Sequence, residues 1–183
     1  MAKQEKPDFF SCDCSDGHYY ISVTGGMKGR AQNLADVEKE TDVTDSRSES
    51  QSREDSQFGK LAEIVAYELL SEMGASVKYN HDGWEYDLLV NGKKADVKAR
   101  DYTQTSSRYA DLLIRDRKDT NHSPDDVDII IQVMLNGKRS NKGYVTGYCT
   151  GREGAAASIF QKAKTHRTRN FPHNKLHSID KLI

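Results

Sequence analysis

The chain has 183 residues, of which 36% are hydrophobic and 30% charged, and its mean hydropathy is -0.80. This length predicts one compact domain, or one domain with an appendage. No run of about eighteen apolar residues is present, which excludes a membrane-spanning helix. The three cysteines are too sparse for a disulfide framework and the N-terminus lacks an apolar signal core, so we expect a cytoplasmic protein.

Charge is distributed unevenly along the chain. Residues 1–56 carry 7 Lys and Arg against 12 Asp and Glu, and residues 57–135 carry 10 against 14. Residues 136–183 reverse the sign, with 10 Lys and Arg against 2 Asp and Glu. A basic segment of this density favours a polyanionic partner, because each cation placed on a phosphate releases a counterion. A solvated basic face is the alternative.

The first third of the chain has little apolar content. Residues 18–23 predict a strand, whereas residues 41–56 contain one aliphatic side chain and predict an acidic, Ser-rich linker or mobile loop. We therefore divide the chain into an N-terminal extension, residues 1–56, and a domain with a basic C-terminal segment, residues 57–183. Cys12 and Cys14 with His18 are candidate zinc ligands, but their tight spacing favours two ordinary thiols.

The predicted domain opens with a helix. Apolar side chains recur at helical spacing over residues 58–73, with Ser56 as a candidate N-cap and Gly74 as a candidate stop. Strands are predicted over residues 76–79, 127–135 and 143–150, the second of them apolar enough to be covered on both faces. A weak helix is predicted over residues 153–164. This order of elements predicts an α/β or α+β fold.

An Asn-Gly pair at 91–92 separates two strand-like runs, WEYDLLV and KKADVKAR, and predicts a tight hairpin. A two-residue loop would place Asp87 directly opposite Asp96, and Glu85 opposite Lys98. Because side chains alternate along a strand, these four would share one charged face, while the other face is apolar.

Two carboxylates opposed across a strand pair repel each other and need a compensating charge. Lys98 supplies one positive charge, and a divalent cation that prefers oxygen ligands, Mg²⁺ or Mn²⁺, would supply the rest. The alternative is an exposed polar face with an accidental acid pair. A second Asp-x-Lys, at residues 116–118, has neither a hairpin nor a facing acid, so the tripeptide alone is not informative.

The arrangement of Glu63 on a helix, then Asp87 and Asp96-Val97-Lys98 on a hairpin, resembles the PD-(D/E)xK nuclease superfamily, in particular its phage and archaeal-virus members. The resemblance covers residues 57–135, with further similarity near the C-terminus. Tyr86 stands where the family name has Pro. The resemblance implies an α/β restriction-endonuclease-like core, with a mixed central β-sheet flanked by α-helices.

The resemblance also implies roles for these residues. Asp87, Asp96 and the Val97 carbonyl would bind Mg²⁺, with Mn²⁺ as a substitute. Glu63 would be a further ligand or orient a metal-bound water, although a solvent-facing helix glutamate is the alternative. Lys98 would activate that water or stabilise the charge developing on phosphorus. The implied enzyme is a Mg²⁺-dependent DNA endonuclease of viral or mobile-element type, acting in recombination, genome processing or DNA degradation, in the host cytoplasm if viral.

DNA is the expected partner, with no membrane involved, and cutting both strands with one site per chain favours a homodimer. Two alternatives stay open: a catalytically silent DNA-binding or inhibitory protein on a nuclease fold, and a sequence-specific enzyme of restriction type. A solubilising tail is the alternative for the basic C-terminal residues. The candidate DNA-binding residues are Arg100, Lys162, Lys164, Arg167 and Arg169.

Overall fold

The computed structural model describes residues 1–5, 18–41, 49–81, 85–102, 111–117, 123–137, 140–162 and 166–183. Three α-helices lie in this part of the chain: α1 (Gly25–Thr41), α2 (Glu49–Glu72) and α3 (Gly151–Ala156). None of these helices is long and apolar enough to cross a membrane. The strands are β1 (Lys3–Glu5), β2 (His18–Ser22), β3 (Val77–Tyr79), β4 (Leu88–Val90), β5 (Lys93–Asp101), β6 (Leu112–Arg117), β7 (Ile129–Leu135), β8 (Lys142–Thr150), β9 (Ser158–Lys162) and β10 (His166–Phe171).

The strands form two sheets. The larger has seven strands in the order β1-β2-β8-β7-β5-β4-β3, and the smaller has three in the order β6-β10-β9. Strands β5 and β7 pair in parallel, whereas every other described pairing is antiparallel. The large sheet is therefore mixed, and the predicted α/β class with a mixed central sheet is confirmed.

Helices α1 and α2 cover one face of the large sheet. Leu61, Val65 and Leu69 on α2 are buried in one apolar cluster with Val97 of β5 and Ile131 of β7. This is the stripe predicted from helical spacing, and complete burial of one such side chain contributes about 1.5–3 kcal/mol. Strand β7 is buried along its whole length, as its apolar run predicts.

The opposite face is covered by α3 and the three-stranded sheet. Leu112, Ile114 and Phe171 of the smaller sheet are buried together with Ile130 of β7. Gly154 lets α3 approach closely, because a Cβ there would lie 2.8 Å from the Ile130 Cδ1. The sheet thus packs on both faces, but helices dominate only one of them.

The predicted boundary at residue 57 is wrong for the described N-terminal residues. Strand β2 pairs with β8 in the large sheet, and α1 packs against α2. Helix α2 begins at Glu49, so the predicted cap at Ser56 lies inside it. Each residue added to an existing helix gains one backbone hydrogen bond. Residues 49–56 are polar and have no apolar stripe, but they can extend the packed part of α2 for this reason.

The C-terminal segment also differs from the prediction. Where a helix was predicted over residues 153–164, the structure describes residues 153–162, and in this range α3 ends at Ala156 and β9 begins at Ser158. Strand β9 pairs with β10, and β10 with β6, so ladder hydrogen bonds outweigh a weak helical preference. The basic segment is therefore part of a sheet and not a tail.

Candidate active site

The hairpin of β4 and β5 has the predicted turn and register. Asn91 and Gly92 have φ angles of 49° and 82°, the positive values that a type I′ turn requires. Val90 pairs with Lys93 across the turn, and the pairing continues to Leu88. The turn is anchored because the Asn91 side chain accepts a hydrogen bond from Ser76 N at 2.8 Å.

Asp87 lies just before β4, outside its regular pairing with β5, which ends at Leu88. Its N–H donates to the carbonyl of Ala95 at 2.9 Å, the residue that already pairs with Leu88. The prediction that Asp87 stands directly opposite Asp96 is therefore wrong. The carboxylate instead accepts a hydrogen bond from Val97 N at 2.7 Å, in the place of the ladder partner that β4 no longer provides.

This departure reorganises the neighbouring charges. The N–H and C=O of one strand residue point to the same edge, so the Val97 carbonyl is directed to the side that the Asp87 carboxylate occupies. Glu85 was expected opposite Lys98, but it accepts from Lys94 Nζ at 2.8 Å instead. The early end of β4 explains the change, because beyond Leu88 no ladder holds the strand in register.

Asp96 and Lys98 form a close ion pair on one face of β5. The Lys98 Nζ lies 2.6 Å from Asp96 Oδ2 and 2.9 Å from Oδ1. The two side chains are 24% and 31% exposed, so they are reachable from solvent although their surroundings are largely protein. An ion pair in such surroundings is screened less by salt than a surface pair.

Glu63 lies on α2 and is only 7% exposed. The alternative of a solvent-facing helix glutamate is therefore wrong. The Lys60 Nζ lies 3.1 Å from its Oε1, and the Tyr79 hydroxyl donates to its Oε2. Neither partner was predicted from the sequence. Lys60 has a sequence signal, since it lies one helical turn before Glu63, but Tyr79 comes from β3 and has none.

The pKa values of the site record how closely these groups converge. Burial raises the pKa of Asp87 well above its usual range, and the carboxylates of Glu63 and Asp96 raise it further against the opposing effect of Lys98 and the Val97 N–H. Burial alone would lower the pKa of Lys98, but the carboxylates of Asp96, Asp87 and Glu63 outweigh it and the pKa is raised. Asp87 therefore lies on β5 next to the Asp96–Lys98 ion pair, and the charge of Glu63 acts on both Asp87 and Lys98, whose ammonium stays protonated at neutral pH.

The donor set suits a hard divalent cation, since carboxylates and a backbone carbonyl are the ligands that Mg²⁺ accepts. The raised pKa of Asp87 marks a carboxylate whose charge is incompletely compensated by the protein. In the described part of the chain, however, no three His, Cys, Asp or Glu side chains form a ready metal cage. The carboxylate of Asp96 is paired with Lys98, and that of Glu63 with Lys60. To bind a metal ion, these carboxylate oxygens would have to give up their contact with the lysine ammonium.

A buried glutamine next to the site was also missed. Gln132 of β7 has no exposed surface and occupies the register position beside Lys98. Its amide oxygen accepts a hydrogen bond from the Thr146 hydroxyl at 2.7 Å. The available signal was one polar residue inside the apolar run of β7, IIIQVML.

The candidate DNA-binding residues are scattered over three strands. Arg100 lies two residues beyond Lys98 on β5 and is half-buried, and Arg169 of β10 donates to the Ala157 carbonyl at 3.0 Å. Lys162 of β9 and Arg167 of β10 are register partners, described here only by their backbone positions. Lys164 lies outside the described residues.

Of the three candidate zinc ligands, the structure describes only His18. Cys12 and Cys14 lie outside the described residues. His18 is 9% exposed, and its Nδ1 lies 3.0 Å from the Thr146 carbonyl oxygen inside the large sheet.

Comparisons of this chain with models of known protein families, with curated proteins and with solved structures find no match.

Proposed function

We propose that this protein is a Mg²⁺-dependent deoxyribonuclease, built on a restriction-endonuclease-like core, that hydrolyses phosphodiester bonds within DNA. The observation that carries the proposal is the Asp87 carboxylate on Val97 N of β5, between the two residues of the Asp96–Lys98 ion pair, with the buried Glu63 of α2 raising the pKa of Asp87. Carboxylates that repel one another cost stability in the free protein, and phosphodiester hydrolysis is a reaction that uses such carboxylates together with an ammonium.

Asp87, Asp96 and the Val97 carbonyl would hold Mg²⁺, with Mn²⁺ as a substitute and Glu63 as a further carboxylate nearby. The bound ion supplies a water that is nucleophilic at neutral pH and neutralises charge on the scissile phosphate. The incompletely compensated charge of Asp87 supports this assignment, because a cation would remove the repulsion from Glu63 and Asp96.

The lysine in this scheme acts as a cation. Three carboxylates raise the pKa of Lys98 against the effect of burial, so it is a poor general base near pH 7. Its ammonium would instead donate to a phosphate oxygen as negative charge develops there. Glu63, held between Lys60 and Tyr79, would accept a hydrogen bond from the attacking water and fix its direction.

DNA is the proposed partner because residues 136–183 carry 10 Lys and Arg against 2 Asp and Glu, and because Arg100 lies on the strand that carries the site. The register pairs Arg167 of β10 with Lys162 of β9, and Arg100 follows Lys98 along β5. Such residues would follow the phosphate backbone without reading its sequence. A homodimer with one site per chain would cut both strands, and the proposed setting is viral or mobile-element DNA processing.

The decisive assay is incubation of supercoiled plasmid with the full chain in Mg²⁺, Mn²⁺ or EDTA, scored by gel. Asp96→Asn and Lys98→Ala should each lower the cleavage rate by about two to four orders of magnitude while both proteins still fold, as circular dichroism would show; Lys98→Ala should also melt at a lower temperature, because it removes the cation that compensates the carboxylates. Asp116→Asn and Lys94→Ala are matched controls, the first from the second Asp-x-Lys and the second from the same strand, and both should cut normally. Undiminished cutting by either site variant rejects the proposal.

A silent DNA-binding protein is the second candidate, and one observation favours it. Asp96 and Glu63 already have ammonium partners, Lys98 and Lys60, so these carboxylates are neutralised without a metal ion. Tight binding of DNA in a gel-shift assay with no cleavage in Mg²⁺ or Mn²⁺ would select this candidate. If plasmid is cut into discrete bands instead, the enzyme is of restriction type, whereas a smear or structure-dependent cuts indicate the broader endonuclease.

A further inference from the structure

A row of register partners crosses four strands of the large sheet beside the candidate site. From β5 to β2, its members are Arg100, Met134, Tyr144 and Tyr20. Side chains of directly paired residues stand on the same face of a sheet. Arg100 also shares a face with Lys98, because the two are separated by one residue on β5, a distance of roughly 7 Å along the strand. The row therefore lies on the face of the sheet that carries the candidate site.

The side chains of this row pack against one another as an aromatic cluster. Met134 and Tyr144 are buried together, and Tyr20 and Tyr102 are half-buried against them. The ring centroids of Tyr20 and Tyr144 are 5.6 Å apart, and those of Tyr102 and Tyr144 are 6.0 Å apart, both within the range of direct ring contact. Three tyrosine rings are thus contiguous, and the two outer ones keep part of their surface exposed. We call Tyr20, Tyr102 and Tyr144 the tyrosine patch.

Two cations accompany the tyrosine patch. The Lys142 Nζ lies 4.3 Å from the centroid of the Tyr20 ring, in a cation–π contact. The charge of Lys142 also acts on Tyr102: burial raises the pKa of the Tyr102 hydroxyl, and a hydrogen bond with Asn136 and the nearby ammonium oppose the rise. Arg100 stands at the β5 end of the row and, like Lys142, is half-buried. Ring surface and positive charge are therefore combined on one face.

This combination fits an unpaired nucleic-acid strand. Sites for single strands combine cations that follow the phosphates with aromatic side chains against which the bases stack. In a duplex the bases are stacked on one another, so a duplex could contact the cations but not the rings. The spacing also fits, because phosphates follow one another at about 3.4 Å in a stacked strand and farther apart in an extended one. Arg100 is then one or two nucleotides from a phosphate at Lys98.

We propose that the tyrosine patch, with Arg100 and Lys142, binds unpaired bases of the DNA substrate next to the scissile phosphate, so that the preferred substrate contains a single-stranded segment. That this strand is a substrate rests on the proposed nuclease function, whereas binding of the strand does not. The patch determines specificity and takes no part in hydrolysis.

The variants separate ring surface from side-chain bulk. Tyr20→Leu removes a half-buried ring and keeps an apolar side chain, whereas Tyr20→Phe keeps the ring and is the matched control. Tyr19→Leu is a second control, because Tyr19 packs against the core on the opposite face of β2 and its hydroxyl donates to Asp180 at 2.6 Å. Lys142→Gln removes the cation and keeps the rings.

Binding is measured by fluorescence anisotropy with the full-length protein in EDTA, so that no DNA is cut, using a single-stranded oligonucleotide and a duplex of the same length. The wild type should bind the single strand more tightly. Tyr20→Leu should weaken single-strand binding by about fivefold to a hundredfold, the effect of one base–aromatic contact, and leave duplex binding nearly unchanged. Tyr20→Phe and Tyr19→Leu should bind as the wild type does.

Lys142→Gln should weaken binding of the single strand and reduce its dependence on salt, because one phosphate contact is lost. The proposal is overturned if the wild type binds both DNAs equally, or if Tyr20→Leu binds the single strand as tightly as the wild type. In that case the three rings only complete the packing of the sheet.

Photo-crosslinking of the wild type locates the contact without any substitution. A single strand that contains iodouracil couples under ultraviolet light to aromatic side chains that it touches, and peptide mapping identifies them. Coupling to a tyrosine of the patch supports the proposal, and coupling confined to other residues overturns it. If the wild type binds and couples in this way but cuts no DNA in Mg²⁺ or Mn²⁺, the nuclease proposal fails while single-strand binding stands. If it cuts DNA but prefers the duplex, only the proposal for the patch fails.

Discussion

Replacing Asp87 by Asn should stabilise the metal-free protein, although it removes a side chain from the centre of the candidate site. Asn keeps the shape and an oxygen that can accept from Val97 N, now 2.7 Å from the carboxylate, but it carries no charge. The charge is unfavourable in the free protein because the group is buried and faces the carboxylates of Glu63 and Asp96, with Lys98 as the compensating cation.

The magnitude follows from these partners. With each pair of charges taken to be roughly 7 Å apart, and at an effective dielectric constant of about 20, two unit charges interact by about 2–3 kcal/mol. Asp87 is repelled by Glu63 and Asp96 and attracted by Lys98, so the net effect is about one such repulsion. The substitution by Asn removes it. A hydrogen bond to a neutral oxygen is weaker than one to a carboxylate by about 1 kcal/mol, so the net gain is about 1–2 kcal/mol. For a chain of this size that gain raises the melting temperature by about 2–8 °C.

The gain should depend on pH. Because the pKa of Asp87 is raised in the folded state, the native protein binds more protons than the unfolded chain between the unfolded pKa of about 4 and the raised folded pKa. The stability of the wild type therefore falls as pH rises through that window. Asp87→Asn should be the more stable protein at pH 8, and its advantage should disappear at about pH 4, where the wild-type carboxyl is protonated.

Binding of Mg²⁺ should make the wild type more stable than Asp87→Asn, the reverse of their order without metal. At a Mg²⁺ concentration of about 100 times the dissociation constant, binding stabilises the wild type by about 2.7 kcal/mol. Asp87→Asn loses a proposed ligand and should gain little. The measurement is thermal unfolding of both proteins with EDTA or Mg²⁺ at pH 4 and pH 8. Glu85→Gln, at an exposed acid paired with Lys94, is the control and should change stability by less than about 0.5 kcal/mol.

Two outcomes would refute this reasoning. If Asp87→Asn is less stable than the wild type at pH 8 in EDTA, the Asp87 carboxylate stabilises the metal-free protein. Repulsion from Glu63 and Asp96 then does not determine its contribution to stability. If Mg²⁺ stabilises both proteins equally, Asp87 is not a ligand of the ion.

Two further predictions concern the packing around the site. Gly151→Ala should destabilise the protein by about 3 kcal/mol or more in chemical denaturation, because a Cβ at Gly151 would lie 2.0 Å from the backbone oxygen of Val127; a loss under about 1 kcal/mol would contradict this contact. Burial raises the pKa of the Cys149 thiol to about 12, so peptide mapping after alkylation of the native protein at pH 8 should find Cys149 unmodified, and modified only after unfolding; rapid native labelling would show an accessible thiolate.

The parts of this protein that could be predicted from sequence are those that depend on nearest neighbours. Asn91 and Gly92 set the hairpin register, because few residues tolerate positive φ at both positions of the turn. Gly74, with a φ of 100°, ends α2 for the same reason. The apolar run of β7 predicted a strand covered on both faces, and each of its residues is buried.

Local patterns failed where pairing with distant segments outweighed them. The residues after α3 have a weak helical preference, yet β9 forms because β10 offers it a ladder. Residues 18–23 were expected to form a strand of an N-terminal extension, but β2 pairs with β8 and is part of the large sheet. Strand β4 was expected to extend through Asp87, and the side chain of Asp87 instead replaces the missing strand partner of Val97.

For the candidate site, the sequence by itself determined which residues carry charge and which turn brings Asp87 near Asp96. Only the tertiary structure decided their partners: Tyr79 on Glu63, Lys98 on Asp96, and Thr146 on the amide of Gln132. Turn geometry and side-chain alternation are properties of a few consecutive residues, so they can be read from the chain. Burial, and the charges that meet in one place, depend on the packing of α2, β3 and β8 against one another, which no local pattern encodes.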